Sequence, residues 1–200
     1  MSLAEYLAIE QELVKSVVEP TLFTWIAPPT VIYGHHQNAE TELNAAFCAE
    51  HSIAVVQRTS GGGCVYADRG NLMISYISPS THSETVFAQV LEMVADTLRS
   101  LGLPAVTTAH NDILIDGRKV SGWACFRAPT GTIVHGTLLF DVDIETMMKA
   151  ITPSSHKLSK HGVASVRQRV VNLRELTDRF ATIEDLQSYV TEHLASRKDD

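Results

Sequence analysis

Three consecutive glycines set between two apolar runs constrain this chain more than any other feature of its 200 residues. Ile53-Ala54-Val55-Val56 leads into Arg58-Thr59-Ser60-Gly61-Gly62-Gly63-Cys64-Val65-Tyr66, and Leu72-Met73-Ile74-Ser75-Tyr76-Ile77 follows. The first run is rich in β-branched residues, the second is apolar, and both read as strands. Backbone without side chains between strands can reach positive φ, and it lets another group approach its N–H donors closely. Consecutive free N–H groups form a concavity for an anion, and Arg58 adds a fixed charge beside it. A plain glycine-rich turn with an incidental arginine fits the same residues. Two common phosphate-binding patterns are excluded, because no Gly-Lys-Ser/Thr closes the loop and no G-x-G-x-x-G opens a helix.

The rest of the composition narrows the class. A hydrophobic content of 44% and a charged content of 20% are those of a globular protein with a sizeable core. The length suits a single domain over 1–200. No apolar run approaches the roughly 20 residues that cross a bilayer, and no signal pattern opens the chain, so the expected location is cytoplasmic without membrane contact. Cys48, Cys64 and Cys125 are too few and too far apart for a disulfide framework or a C-x-x-C metal site. A net charge of −7 argues against nucleic acid as a partner. The charge is uneven, however: Ala150 to Arg174 contains no acid, while Lys157, Lys160, Arg167, Arg169 and Arg174 are present. That segment is either a solvated basic face or a docking surface for an acidic partner.

Along the chain, Leu3, Tyr6, Leu7, Val14 and Val17 predict an amphipathic helix over 3–18. Strands are expected at Leu22–Ile26 and Val31–Tyr33, then a helix capped by Asn38 and running to about Glu50. The strands Ile53–Gln57 and Leu72–Ile77 flank the glycine loop. Thr81 or Ser83 then starts the clearest helix, with Val86, Phe87, Val90, Leu91, Val94 and Leu98 at helical spacing and Gly102 and Pro104 ending it. A short strand at Ala105–Thr108 precedes a hairpin of Asp112–Ile115 and Arg118–Phe126 around an Asp116-Gly117 type I′ turn. A strand over Thr132–Phe140, a helix near Ile144–Ile151 and a last helix through Leu186 and Leu194 complete the chain. Helices and antiparallel strands interleave without a βαβ repeat, which defines an α+β domain with a mixed sheet.

Two further stretches carry candidate chemistry. In Asn111-Asp112 through Gly117-Arg118-Lys119-Val120-Ser121-Gly122, Lys119 sits on a partly buried strand, where an unpaired charge is costly. It either pairs with Asp112 or Asp116, or faces an anion held by the glycine loop. In His135-Gly136-Thr137-Leu138-Leu139, a glycine inside a strand marks a close approach. His135 taken alone is of a kind that more often serves structure than catalysis.

Together these stretches resemble the motifs of the lipoate-protein ligase A family (biotin/lipoate A/B protein ligases). Arg58 to Tyr66 resembles R-x-S-G-G-G-A-V-[FY], Asn111-Asp112 with Gly117–Gly122 resembles N-D…G-R-K-[IV]-S-G, and His135–Leu139 matches H-G-T-L-L. Val31–Gly34 with Gln37-Asn38 adds a lesser match, and the order and spacing hold from about residue 4 to 195. The sequence departs at Gln57, where a second arginine is usual, and at Ala67, where a histidine is usual.

The resemblance implies a largely antiparallel mixed sheet with flanking helices, and an enzyme that activates lipoate with Mg·ATP to lipoyl-adenylate. The lipoyl group then passes to a lysine of an apo lipoyl domain, such as those of 2-oxo acid dehydrogenases or the glycine cleavage H protein. It implies a catalytic role for Lys119, and nucleotide or adenylate binding by Arg58, Ser60, Gly61, Gly62, Gly63, Cys64, Val65, Tyr66, Asn111, Asp112, Gly122, His135, Gly136 and Thr137. Any Mg²⁺ would travel with ATP rather than sit in a protein metal site. The C-terminal accessory domain of larger ligases is not expected in this sequence, and some family catalytic domains without it need a separate small partner protein. On the neighbouring strands, Val65, Leu72, Ile74 and Leu138 are expected to line a tunnel for the acyl chain. Two rival readings stand beside this one. The first is an ATP-independent octanoyl or lipoyl transferase using Cys64 or Cys125 as nucleophile. The second is a non-catalytic binder of lipoate or lipoyl proteins.

Overall fold

The computed structural model describes residues 1–109, 111–151 and 169–196. Its strands are β1 (Thr21–Ile26), β2 (Thr30–Tyr33), β3 (Ala54–Gln57), β4 (Val65–Ala67), β5 (Asn71–Ser78), β6 (Ala105–Thr107), β7 (Asp112–Ile115), β8 (Arg118–Ala128) and β9 (Gly131–Leu139). Its helices are α1 (Leu3–Leu13), α2 (Ala39–Glu42), α3 (Ala45–Glu50), α4 (Ser83–Arg99), α5 (Ile144–Ala150) and α6 (Ile183–Ala195). A six-stranded sheet in the order β1-β5-β9-β8-β7-β6 is antiparallel throughout. A second sheet, β3-β2-β4, holds one parallel pair, β2 with β3, and one antiparallel pair. The expected α+β fold with a largely antiparallel, mixed sheet is the observed one.

The large sheet is buried on both sides. On one face Leu72, Ile74 and Leu138 pack against Val86, Val90, Leu91, Val94 and Leu98 of α4 and Leu186, Val190 and Leu194 of α6. Each such side chain removed from water contributes about 1.5–3 kcal/mol, so this face supplies much of the stability. On the other face Trp25 and Met73 meet Leu3 of α1, Ile32 of β2 and Ala67 of β4. The glycine loop meets the large sheet on this second face.

Several local expectations hold. Gly102 takes φ 81° after α4, and Asp116 and Gly117 both take positive φ (49° and 75°), as a type I′ turn requires. Others are corrected. The first helix stops at Leu13 rather than near residue 18. The helix expected from Asn38 to Glu50 is two helices, because Leu43 is extended and buried and Asn44 Oδ1 then accepts from Phe47 N–H as a new N-cap. The α4 helix does begin at Ser83, one of the two expected starts, with His82 at the N-cap position and no side-chain cap bond. Inside the glycine loop, Val65–Ala67 pairs with β2 as a strand that its short length hid. Lys157, Lys160 and Arg167 of the basic segment lie outside the described residues. Of that segment's other cations, Arg174 pairs with Asp141 at 3.1 Å.

Candidate active site

Antiparallel register places five residues of five neighbouring strands in one row: Trp25 opposite Met73, Met73 opposite Thr137, Thr137 opposite Gly122, and Gly122 opposite Asp112. At about 4.8 Å between strands, the row spans roughly 19 Å. It floors a cavity of about 240 Å³ between the two sheets. Along the row one end is apolar at Trp25 and Met73, beside Leu3, Leu7 and Ile32, and the other is polar at Asp112, beside Asn111 and Lys119; Arg58, Gly62 and Gly63 complete the wall.

Lys119 reaches the polar end because Gly122 has no side chain. A Cβ at Gly122 would stand 2.8 Å from Lys119 Cε and Nζ, so the lysine stem lies across that glycine. Its ammonium pairs with Asp112 Oδ1 at 2.7 Å, both side chains being partly exposed. The pairing and the orientation towards the glycine loop therefore occur together. The backbone of Lys119 is held on both sides: by Leu114 of β7, and by a parallel bridge in which Lys119 N–H donates to Arg169 C=O (2.7 Å) and Val171 N–H to Lys119 C=O (3.0 Å). Asn111, next to Asp112, takes φ 66°, a conformation asparagine tolerates better than most residues.

The glycine loop is shaped from within. Gly62 alone of the three glycines has positive φ (92°), and its carbonyl packs so closely on Gly34 that a Cβ there would come within 2.3 Å. Arg58 is 6% exposed and donates to Gly61 C=O (2.8 Å), Gly63 C=O (2.7 Å) and Ile32 C=O (3.3 Å). Burial pushes its pKa down. Its guanidinium borders the cavity, yet these N–H groups are aimed at two of the loop's own carbonyls and at one of β2, so it sets the loop's shape and ties it to the small sheet. Around Gly61 and Gly63 a Cβ would meet nothing within 4 Å.

His135 stands on the cavity wall one row away. Its Nε2 lies 2.8 Å from Ser60 Oγ and its Nδ1 2.7 Å from Glu10 Oε2. Ser75 Oγ donates to Glu10 Oε1 at 2.5 Å and accepts from Trp25 Nε1–H at 2.9 Å. Gly136 makes room for the Trp123 indole, which would stand 2.3 Å from a Cβ there.

Most of the residues singled out by sequence meet at this cavity: Arg58, Gly62, Gly63, Cys64, Val65, Asn111, Asp112, Lys119, Gly122, His135, Gly136 and Thr137. Three do not line it. Ser60 is buried behind the wall, bonded to His135. Gly61 faces a neighbouring cavity of about 300 Å³ beside Cys125 and the start of α4. Tyr66 packs under the small sheet with Val31 and Cys48, where burial and then Asp68 push its phenol pKa up. Of the expected tunnel residues, Val65 lines the cavity, but Leu72, Ile74 and Leu138 point to the opposite face beneath α4 and α6. Strand alternation puts Met73 in their place.

Glu10, Trp25 and Met73 were not identified from sequence. For Glu10 a signal exists: Leu3, Leu7, Glu10 and Val14 follow helical spacing, which places an acid on the apolar stripe of α1. Burial lifts the thiols of Cys64 and Cys125 to about 11, leaving both protonated at neutral pH.

Residues 2–195 match the model of the lipoyl protein ligase A/B catalytic domain, and the chain belongs to that family. Among its curated relatives are the lipoate-protein ligase LplJ of Bacillus subtilis, 37% identical over 96% of this chain and 59% of that protein, and lipoate-protein ligase 1 of Staphylococcus aureus, 34% identical over 92% and 57%. The chain thus spans a little over half the length of these relatives. A bi-partite lipoate protein ligase of Thermoplasma acidophilum, described with its E2 lipoyl domain, superimposes with a TM-score of 0.86 at 25% identity over 96% of this chain and 77% of that one. A lipoate-protein ligase A bound with ATP shares the fold at a TM-score of 0.81 and 24% identity, over 95% and 78%. No helix among the described residues is long and apolar enough to cross a membrane.

Proposed function

We propose that this chain, as one catalytic domain, activates lipoate with Mg·ATP and transfers the lipoyl group to a lysine of a lipoyl domain. One observation carries this reading: the row from Trp25 and Met73 to Gly122 and Asp112 grades from apolar to charged over the length of a short acyl chain. The chain's tail would lie against Trp25 and Met73 and its carboxylate at Lys119. In the first step a carboxylate oxygen attacks the α-phosphorus and pyrophosphate leaves. The Lys119 ammonium, oriented by Asp112, holds the negative charge that gathers between acyl and phosphate oxygens, and the N–H groups around Gly62 and Gly63 face the phosphates. In the second step the acceptor amine attacks the acyl carbonyl, the acyl C–O bond to the phosphate breaks as AMP leaves with its electron pair, and the amine's proton passes to water. Lys119 polarises the mixed anhydride throughout, and no covalent enzyme intermediate is needed. The relatives' names and the Thermoplasma ligase with its E2 lipoyl domain support this assignment of activity and partner. A bi-partite relative also supports a separate accessory protein for activation, and the expected location is the cytoplasm.

The intact mass of an apo lipoyl domain tests this. It is measured after incubation with lipoate and Mg·ATP, and separately with pre-made lipoyl-adenylate. A lipoyl-sized gain that Lys119→Ala abolishes in both arms supports the reading. A gain with the adenylate alone assigns activation to a further domain or partner, and no gain in either arm overturns the proposal. The thioester route is disfavoured because burial holds Cys64 and Cys125 as thiols.

A further inference from the structure

The ligation chemistry gives no task to Glu10, a carboxylate 1% exposed on a helix face otherwise occupied by Leu3, Leu7 and Val14. A buried carboxylate is costly unless its oxygens are bonded, and both are: Oε1 accepts from Ser75 and Oε2 lies against His135 Nδ1. A carboxylate oxygen only accepts, so Nδ1 carries the proton it shares with Glu10; where Nε2 carries none, the Ser60 hydroxyl donates to it across the 2.8 Å contact. The bonds form an unbroken path from the Trp25 indole through Ser75, Glu10 and His135 to Ser60. Its two ends differ in surroundings. Trp25 borders the apolar end of the cavity, whereas Ser60 opens the glycine loop, and its carbonyl also accepts from His35 N–H at 3.1 Å.

We infer that Glu10 is a positioning residue that couples the two halves of the substrate site, so that an acyl chain seated against Trp25 sets the glycine loop for the nucleotide. This rests on the proposed function for the identity of the two ligands. An acyl ligand that fixes Trp25 fixes Ser75 and the Glu10–His135 pair, and the His135 proton position fixes which way the Ser60 hydroxyl points. Ordering the loop in advance lowers what nucleotide binding must still order, and the effect is reciprocal.

The test is calorimetric titration of the full chain with lipoate, with Mg·α,β-methylene-ATP (whose α–β bridge resists cleavage), and with each in the presence of the other. In the unmodified protein lipoate should tighten analogue binding on the order of tenfold. In Glu10→Gln, which keeps the shape and removes the charge, each ligand alone should bind within about threefold of the original while the tightening falls below about twofold. Ser75→Ala, which cuts the path nearer Trp25, should do the same, and it carries the test if Glu10→Gln does not fold. Tightening that persists in the folded variants overturns the inference. So does independent binding of the two ligands to the unmodified protein, which leaves the proposed function standing. Absence of binding by both ligands to the unmodified protein overturns the proposed function and this inference together.

Discussion

Gly122 sets where Lys119 lies by what it lacks. In Gly122→Ala the new methyl crowds the flexible end of the lysine, 2.8 Å away, and touches Asp112 Oδ1 at an ordinary 3.7 Å, so stability should change by less than about 1 kcal/mol. Displacing the ammonium should nonetheless lower pyrophosphate release at least about tenfold, since a misplaced charge costs more in the transition state than in the fold. The glycine loop separates the same two quantities. Gly62→Ala forces positive φ on an alanine and should destabilise by about 1 kcal/mol or more. Gly63→Ala has open space and no such φ, so it should stabilise by about 0.4–1 kcal/mol while weakening nucleotide binding. Thermal melts with and without Mg·ATP would distinguish the two. At Cys64 and Cys125, thiols lifted to about 11 should react slowly with iodoacetamide at pH 7.5, and rates followed by mass should climb only well above pH 9.

Elements differ in how much of them the amino-acid order discloses. Periodicity exposes α4, and the Asp116-Gly117 pair exposes the hairpin, because each signal is local. The glycine stretch, Lys119 and His135 each left a structural reading open on residue type alone, and it was their agreement with the family motifs that joined them into a candidate site. β5 was legible as a strand but not in its facing: Asn71–Ser78 is buried at every position, so the alternation that would have assigned Leu72 to the core and Met73 to the site is absent. β4 is three residues long and owes its existence to β2, some thirty positions earlier in the chain. The clamp on Lys119 by Arg169 and Val171 is similarly non-local. The facing of β5 has a direct test. Leu72→Ala should cost about 2–5 kcal/mol in denaturant unfolding and leave lipoate affinity alone, whereas Met73→Ala should change lipoate affinity whatever its effect on stability.

At the scale of the whole molecule, the buried thiols and the Tyr66 phenol share one direction of shift. The folded chain holds the Cys64 and Cys125 protons up to about pH 11, while an exposed cysteine has a value of 9.0, and Tyr66 is raised as well. The unfolded ensemble therefore ionises first as pH rises. Stability present below pH 9 should drain away between 9 and 11, visible as a falling midpoint in thermal melts across that range. The large sheet contributes in another way, since backbone hydrogen bonds fix the separation of its strands. The distance from Lys119 to the Trp25 wall is then a property of the main chain, the same whatever side chains later occupy the row. A site laid out like this works as a ruler graduated in strand widths of about 4.8 Å. Molecules that differ by less than one graduation are told apart only by how well they fill the last one.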